Sequence, residues 1–542
     1  MSTLAGYDTV LISGGMLVDG TASQAVRMDV AIEGDRIESL RPRIESSAAF
    51  EVDASGCIVC PGFIDIHTHS DFGLLSWPQA DNKVRQGVTT EVVGNCGGSA
   101  APALGDSRTF IEDMAKMYDV TVDWVRFDEY LSRMRKARTS VNVASLVGAE
   151  TVRTAVLGTR NVQPSREELA LMRDLVVEAM EAGAYGLSSG LIYAPGCYAS
   201  TEELSNLAEA AGQYGGIYTS HIRGEGRTLL KAIGEAIQIG RDAGVKVQIS
   251  HHKAVGQRNW GLVKDSLAMM RDARSEGVDV AFDVYPYTAS CTNLYAILPP
   301  WVQDGGREAI MDRLREDDVR NRIKMDFANA DTEWENTIAE DGWETIEVSG
   351  FRMSGNKNLE HKRMDEIGRL RGVDPADAAF DLILEEGFDL VAVFHEISGD
   401  DVACVVSHPL AIIASDGEVS PPSNPICGTA AHPRAFGTFP RAIREYALDG
   451  GVVSLEEMIR KMTSAPAERM GLADRGRVAV GMKADIVVFD PMEIKDLATF
   501  EHVDKHPKGI SHVIVNGTPT IRNCEHTGER AGEVLRKNAS TS

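Results

Sequence analysis

The chain has 542 residues, 43% of them hydrophobic, and a formal charge of -25; it can bury a substantial core and exceeds what one plain barrel needs, so more than one domain is expected. That acidity argues against nucleic acid or an anionic membrane as a partner, since either would repel it. No run approaches the roughly 20 apolar residues of a membrane span, Met1 to Val10 lacks the basic start and apolar core of a secretory signal, and eight cysteines in so long a chain are no disulfide scaffold, which points to a reducing cytoplasm.

In chain order, Tyr7 to Ser13, Asp29 to Ile32 and Arg36 to Leu40 read as short strands, with Glu33-Gly34-Asp35 as a hairpin turn. Cys57-Ile58-Val59-Cys60 has the spacing of a redox or zinc half-site, but no second pair exists, so packing on an apolar strand is the reading adopted. The run Pro61 to Ile66 then delivers His67-Thr68-His69. In an extended segment residues i and i+2 face the same way, so both imidazoles can reach one ion.

Later apolar runs end in the same chemistry. Glu91 to Gly94 leads to Cys96, Gly216 to Ser220 to His221, Val245 to Ser250 to His251, and Leu410 to Ser415 to Asp416. Helical stretches alternate with these strands. Ser165-Arg166-Glu167-Glu168, Ser200-Thr201-Glu202-Glu203 and Ser454-Leu455-Glu456-Glu457 each read as a capping box ahead of an apolar stripe. Such alternation favours a parallel sheet. An open sheet binds ligands only beside its switch point, whereas these groups end strands spread along the whole chain. The expected architecture is therefore a (β/α)8 barrel whose chemistry gathers at the C-terminal strand ends.

The region from about 291 to 347 breaks the alternation with Pro299-Pro300, Asp304-Gly305-Gly306 and dense charge, and reads as an insertion that roofs the site. Beyond the barrel, Arg477 to Val480, Asp485 to Phe489 and His512 to Val515 are short strands again, with turns at Gly481 and Asn516-Gly517. Residues 1–60 and 475–542 are accordingly expected to form one small β-sandwich domain flanking a barrel of residues 61–474.

Several stretches resemble the N-acyl-D-amino-acid deacylase (D-aminoacylase) family of the amidohydrolase superfamily. They are Pro61 to Asp71, Val92 to Gly97, Ser189 to Tyr193, Ser220 to Arg223, Ile249 to Lys253, Asp283 to Tyr287, Ser415 to Gly417, and His432-Pro433-Arg434 through Gly437 to Pro440. The similarity runs from about Tyr7 to the last strands. Its sharpest mark is Cys96, which stands where dihydroorotases and hydantoinases carry a carboxylated lysine.

The resemblance implies that Cys96, His221 and His251 hold a tightly bound zinc. It places His67, His69 and Asp416 around a second, weaker position that Cys96 can bridge. A thiolate with two imidazoles is a strong soft donor set with one position left open. Asp416 becomes the general base, taking a proton from water and returning it to the leaving nitrogen. Lys253, Tyr193 and Tyr285 are the implied receivers of the substrate carboxylate, with Arg223 structural, His252 in packing and His432 at the mouth. The implied activity is hydrolysis of a linear N-acyl-D-amino acid, a small-molecule substrate, to a carboxylate and a free D-amino acid; preferred side chain and oligomeric state stay open.

Two positions depart from the family pattern. Ser290-Cys291-Thr292 replaces Gly-Ser-Thr, and Val147-Gly148-Ala149-Glu150 lacks a histidine after Gly148. The rival readings are a cyclic-amide hydrolase of the hydantoinase or dihydroorotase kind, a hydrolase of another N-acyl amide, and a non-catalytic scaffold. The first predicts a lysine where Cys96 stands, and the last predicts lost ligands.

Overall fold

The structure, a computed structural model, describes residues 9–420 and 431–537. The core is a ring of parallel strands: β1 (Phe63–Asp65), β2 (Val88–Val93), β3 (Asn142–Ser145), β4 (Gly186–Gly190), β5 (Ile217–His221), β6 (Lys246–Ile249), β7 (Val280–Val284) and β8 (Ala411–Ile413). Hydrogen bonding orders them as two arcs, β1 to β3, and β4 to β8 with a short continuation of β3 at Val147–Gly148. The seam between β8 and β1 is fastened past their ends, where Asp416 N donates to His67 O and His69 N to Gly417 O, each at 3.0 Å. This is the (β/α)8 barrel that the alternation of apolar runs and amphipathic stretches predicts. Its strands are almost wholly buried, which is why they read as continuous apolar runs and not as alternating ones.

The outer helices start at their predicted caps. Ser165 accepts from Glu168 N, and Glu168 reaches back to Ser165 N at 2.7 Å, a complete reciprocal box. Ser200 and Ser454 make only the forward half. The returning carboxylate is diverted in both cases, Glu203 to the buried guanidinium of Arg153 and Glu457 to Arg460. A charge-assisted bond to an arginine outcompetes a bond to a solvent-accessible N–H.

Strands from both chain ends form two facing sheets. One is ordered Arg36–Arg41, Asp29–Glu33, Thr9–Ser13, Phe50–Asp53. The other includes Ile510–Val515, Ile486–Phe489 and Ile58–Pro61, the last two pairing antiparallel. Val10, Ile32, Val52, Val59, Ile486 and Ile514 fill the space between them. Tyr7 lies outside the described residues. Arg477 to Val480, expected as a strand, is irregular. Val478 N bonds Asp19 O and Met482 N closes a turn on Ala479 O, so the segment finds no continuous ladder.

The inserted layer runs well past 347. Between β7 and β8 a second antiparallel sheet is ordered Ser290–Asn293, Val391–Phe394, Ile346–Ser349, Lys362–Arg363. Its own core includes Leu294, Val302, Phe327, Ile346, Phe380 and Phe394. The boundary at 347 fails because Ile346–Ser349 needs Val391–Phe394 as its partner, so the chain cannot leave the layer until that strand is laid down. Among the described residues no helix is long and apolar enough to cross a membrane.

Candidate metal centre

At the C-terminal rim of the barrel, the six residues expected as ligands converge. The donor atoms of His67, His69, Cys96 and Asp416 lie within 4.8 Å of one another, as do those of Cys96, His221 and His251. Cys96 belongs to both sets. Its Sγ is 3.2 Å from His67 Nε2 and 3.7 Å from His251 Nε2. Asp416 Oδ1 is 3.0 Å from His69 Nε2 and 3.3 Å from His67 Nε2. His67 and His69 present their rings to the same space, 5.4 Å apart, as an extended i, i+2 pair should.

The backbone is bent to achieve this. Cys96, His251 and Asp416 occupy the left-handed region, with φ of 49°, 35° and 49°. Non-glycine residues pay conformational energy there, and such positions cluster at functional sites. Each lies just beyond a strand end, where an abrupt change of direction turns the side chain over the mouth.

A donor set that holds a cation should show uncompensated polarity without one, and this one does. His221 is buried, yet neither of its ring nitrogens has a hydrogen-bond partner. Burial would raise the Cys96 thiol, but the imidazoles of His67, His221 and His251 around it bring it well below the ordinary thiol value. Burial likewise opposes ionisation of Asp416, and Arg434, His67 and His251 outweigh it. Burial pushes His221 down, which keeps its ring neutral and able to donate a lone pair. One thiolate, four imidazoles and a carboxylate fit zinc in type and number.

The ring orientations are fixed from behind. His67 Nδ1 meets Asp283 Oδ1 and His251 Nδ1 meets Glu225 Oε1, each at 3.0 Å. Asp283 also accepts from His251 N at 2.7 Å and from Gln248 Nε2 at 3.0 Å. Deeper still, Lys83 is wholly buried between Asp65 on β1 and Glu91 on β2, at 3.0 and 3.3 Å, and donates to Ser415 beside Asp416. Carboxylates behind metal-directed histidines hold tautomer and orientation.

The expected carboxylate receivers surround the same cavity, which measures 1030 Å³. Tyr193 packs its ring edge-on to His221 and meets Thr292 Oγ1 at 3.1 Å. Tyr285 has a buried hydroxyl without a hydrogen-bond partner. Lys253 is buried with its ammonium 2.7 Å from Glu225, so its charge is already matched. Arg223 is held by Glu235 and by two backbone carbonyls, a structural tie. His252 points away from the rim, to Ser266 and Phe282. His432 lines the cavity, bonded to Ala289 O.

Sequence reasoning overlooked Arg434. Its guanidinium lies over the Tyr285 ring at 5.0 Å and forms an ion pair with Asp416 at 2.8 Å, while its Nη1 makes no aligned hydrogen bond. It also missed Glu225 and Asp283. Asp283 lies within the apolar strand Val280–Val284, where a charge was the available signal, whereas Glu225 sits in the loop past His221 and gave none.

Residues 51–521 match the amidohydrolase family. The chain belongs to it. D-aminoacylase of Alcaligenes xylosoxydans xylosoxydans is 35% identical, over 98% of this chain and 98% of that protein. N-acyl-D-glutamate deacylase of the same organism is 34% identical, over 98% and 97%. Among solved structures, the N-acyl-D-glutamate deacylase of Bordetella bronchiseptica, complexed with zinc and a phosphonate mimic of the tetrahedral intermediate, superposes with a TM-score of 0.81. It is 31% identical, with 97% of this chain and 99% of that chain covered. As an amidohydrolase, the protein combines the family's barrel with an acidic, partly apolar cavity over its donor ring.

Proposed function

We propose that the protein is a zinc-dependent deacylase that hydrolyses the amide bond of N-acyl-D-amino acids, giving a carboxylate and a free D-amino acid. The observation that carries this reading is the donor ring at the barrel rim, in which one thiolate belongs to two ligand sets. A cyclic-amide hydrolase of the hydantoinase kind needs a lysine where Cys96 stands. We assign Cys96, His221 and His251 to a tight zinc, and His67, His69 and Asp416 to a weaker second position.

Zinc bound there supplies an acidified water and polarises the amide carbonyl. Asp416 takes the proton of the attacking water and delivers it to the leaving nitrogen, so one carboxylate serves both transfers. Arg434 keeps that carboxylate ionised and, with Lys253 and the unpartnered hydroxyl of Tyr285, supplies the donors that face the part of the cavity we assign to the substrate carboxylate. Tyr193 closes the wall beside His221 and, through Thr292, ties the inserted layer to the rim.

The chemistry resides in the barrel, residues 61–474 in our division, with 1–60 and 475–542 as the flanking sheet domain. We place the enzyme in the cytoplasm, a reducing setting suited to a long chain with few cysteines. The test is release of free amine from N-acetyl-D- and N-acetyl-L-amino acids by zinc-loaded protein. Turnover confined to the D series and abolished by chelation supports the reading; turnover of dihydropyrimidines or hydantoins instead overturns it.

A further inference from the structure

The deacylase reading leaves the acyl half of the substrate open. Resting on that reading, we propose that the acyl group accepted is an unbranched fatty chain of roughly eight carbons, laid along the helix Gly105–Met117. Water then adds across the same amide bond, and the products are a free fatty acid and the D-amino acid.

Position in the barrel fixes the direction. Lys253 follows β6 and Tyr285 follows β7, with Arg434 over the Tyr285 ring, so the corner assigned to the substrate carboxylate lies on that side of the mouth. The helix Gly105–Met117 follows β2. In a closed ring of eight strands, β2 stands across from β6. The proposed ligands bridge the gap, Cys96 Sγ past β2 lying 3.7 Å from His251 Nε2 past β6. An N-acyl amino acid with its carboxylate beside β6 and β7 and its amide over the donors therefore directs its acyl carbons toward β2.

On that side the helix presents an apolar stripe to the cavity. Phe110, Met114 and Met117 recur at i, i+4 and i+7, on one face, and all three line the cavity. The helix already packs on the core through a different face, by Ile111 and Ala115. Phe110 is 44% exposed although it is large and apolar. The inserted layer reaches the same stripe, with Arg307 over the Phe110 ring at 6.0 Å, and adds Ile297 and Leu298 to the cavity. Methionine side chains are unbranched and flexible, so they mould to a flexible chain.

The dimensions agree. From Phe110 to Met117 the helix rises about 10 Å, the length of an extended chain of roughly eight carbons. The cavity, 1030 Å³, stands at the top of the range of about 300–1,000 Å³ that encloses a drug-sized ligand. An acetyl group stops at the donors and leaves the stripe in water, whereas a longer chain covers it and buries its own methylenes.

The experiment compares matched N-acetyl and N-octanoyl derivatives of D-leucine, D-phenylalanine, D-glutamate and D-lysine on the zinc-loaded protein. Six methylenes separate the two acyl groups, each favoured about fourfold when fully buried. For the amino acid turned over best, the octanoyl derivative should therefore exceed its acetyl partner in kcat/KM by about 60-fold or more even with half of them buried, the gain lying in KM. Met114→Gln, similar in shape but polar, should cut that ratio by about 10-fold or more. An octanoyl derivative no better than its acetyl partner, or a ratio that Met114→Gln leaves unmoved, overturns the inference and leaves the deacylase reading standing. Absence of turnover for every D derivative in both series, with zinc content verified, overturns both.

Discussion

Asp283 Oδ1 lies 3.0 Å from His67 Nδ1, joining the end of β7 to the second residue past β1 behind the donor ring. The same carboxyl accepts from His251 N, so one side chain orients two proposed ligands. Asp283→Asn should weaken zinc binding by about 10- to 100-fold. Competition against a chromophoric chelator measures it. Unchanged affinity would show that the rings need no support.

In the proposed assignment the ligand sets have unequal duties. Asp416→Ala should abolish turnover yet retain about one zinc per chain, whereas Cys96→Ala should lose the metal itself. Metal analysis after dialysis separates the two. Equal loss in both variants contradicts the division.

Glu150 gives a stability prediction of definite sign. Burial raises its carboxyl from an ordinary 4.5 to about 8, and one of its oxygens has no partner. The unfolded chain ionises near 4.5 while the folded chain does not, so the folded state loses stability as pH rises from 4.5 through 8. Glu150→Gln removes that loss. Its melting temperature relative to wild type should climb between pH 5 and pH 9, and a constant difference across that range would refute the assignment.

Phe380 is fully buried in the core of the inserted layer and stacks on Phe327 at 6.2 Å. Phe380→Ala should destabilise the protein by roughly 3–5 kcal/mol. Because that core is separate from the barrel's, zinc content of the folded variant should match wild type. Denaturant unfolding and metal analysis on one preparation check both halves.

Much of this was legible in the residues. A buried parallel strand announces itself as an apolar run, and a polar donor that ends such a run is visible because polarity interrupts it; hence the convergence of His67, His69, Cys96, His221, His251 and Asp416 could be anticipated without coordinates. Arg434 could not. Its meaning comes from a 2.8 Å approach to Asp416 that no spacing encodes. Glu225 was hidden for the same reason, four residues past His221 in a loop, with its partner Lys253 on the next strand end. The extent of the inserted layer was unreadable because antiparallel pairing of Ile346–Ser349 with Val391–Phe394 spans helices that look like ordinary barrel helices. Arg477 to Val480 misled in the opposite direction, being strand-like in composition but lacking a neighbour to pair with.

The inserted layer leaves the barrel after β7 and rejoins it before β8, carrying its own core and furnishing Ile297, Leu298, Glu335 and Glu396 to the cavity. The architecture is thus modular at the mouth. Exchanging this cassette among related chains should retune which molecules enter while the machinery beneath is inherited intact, a route to new selectivity that spares the costliest part of the design.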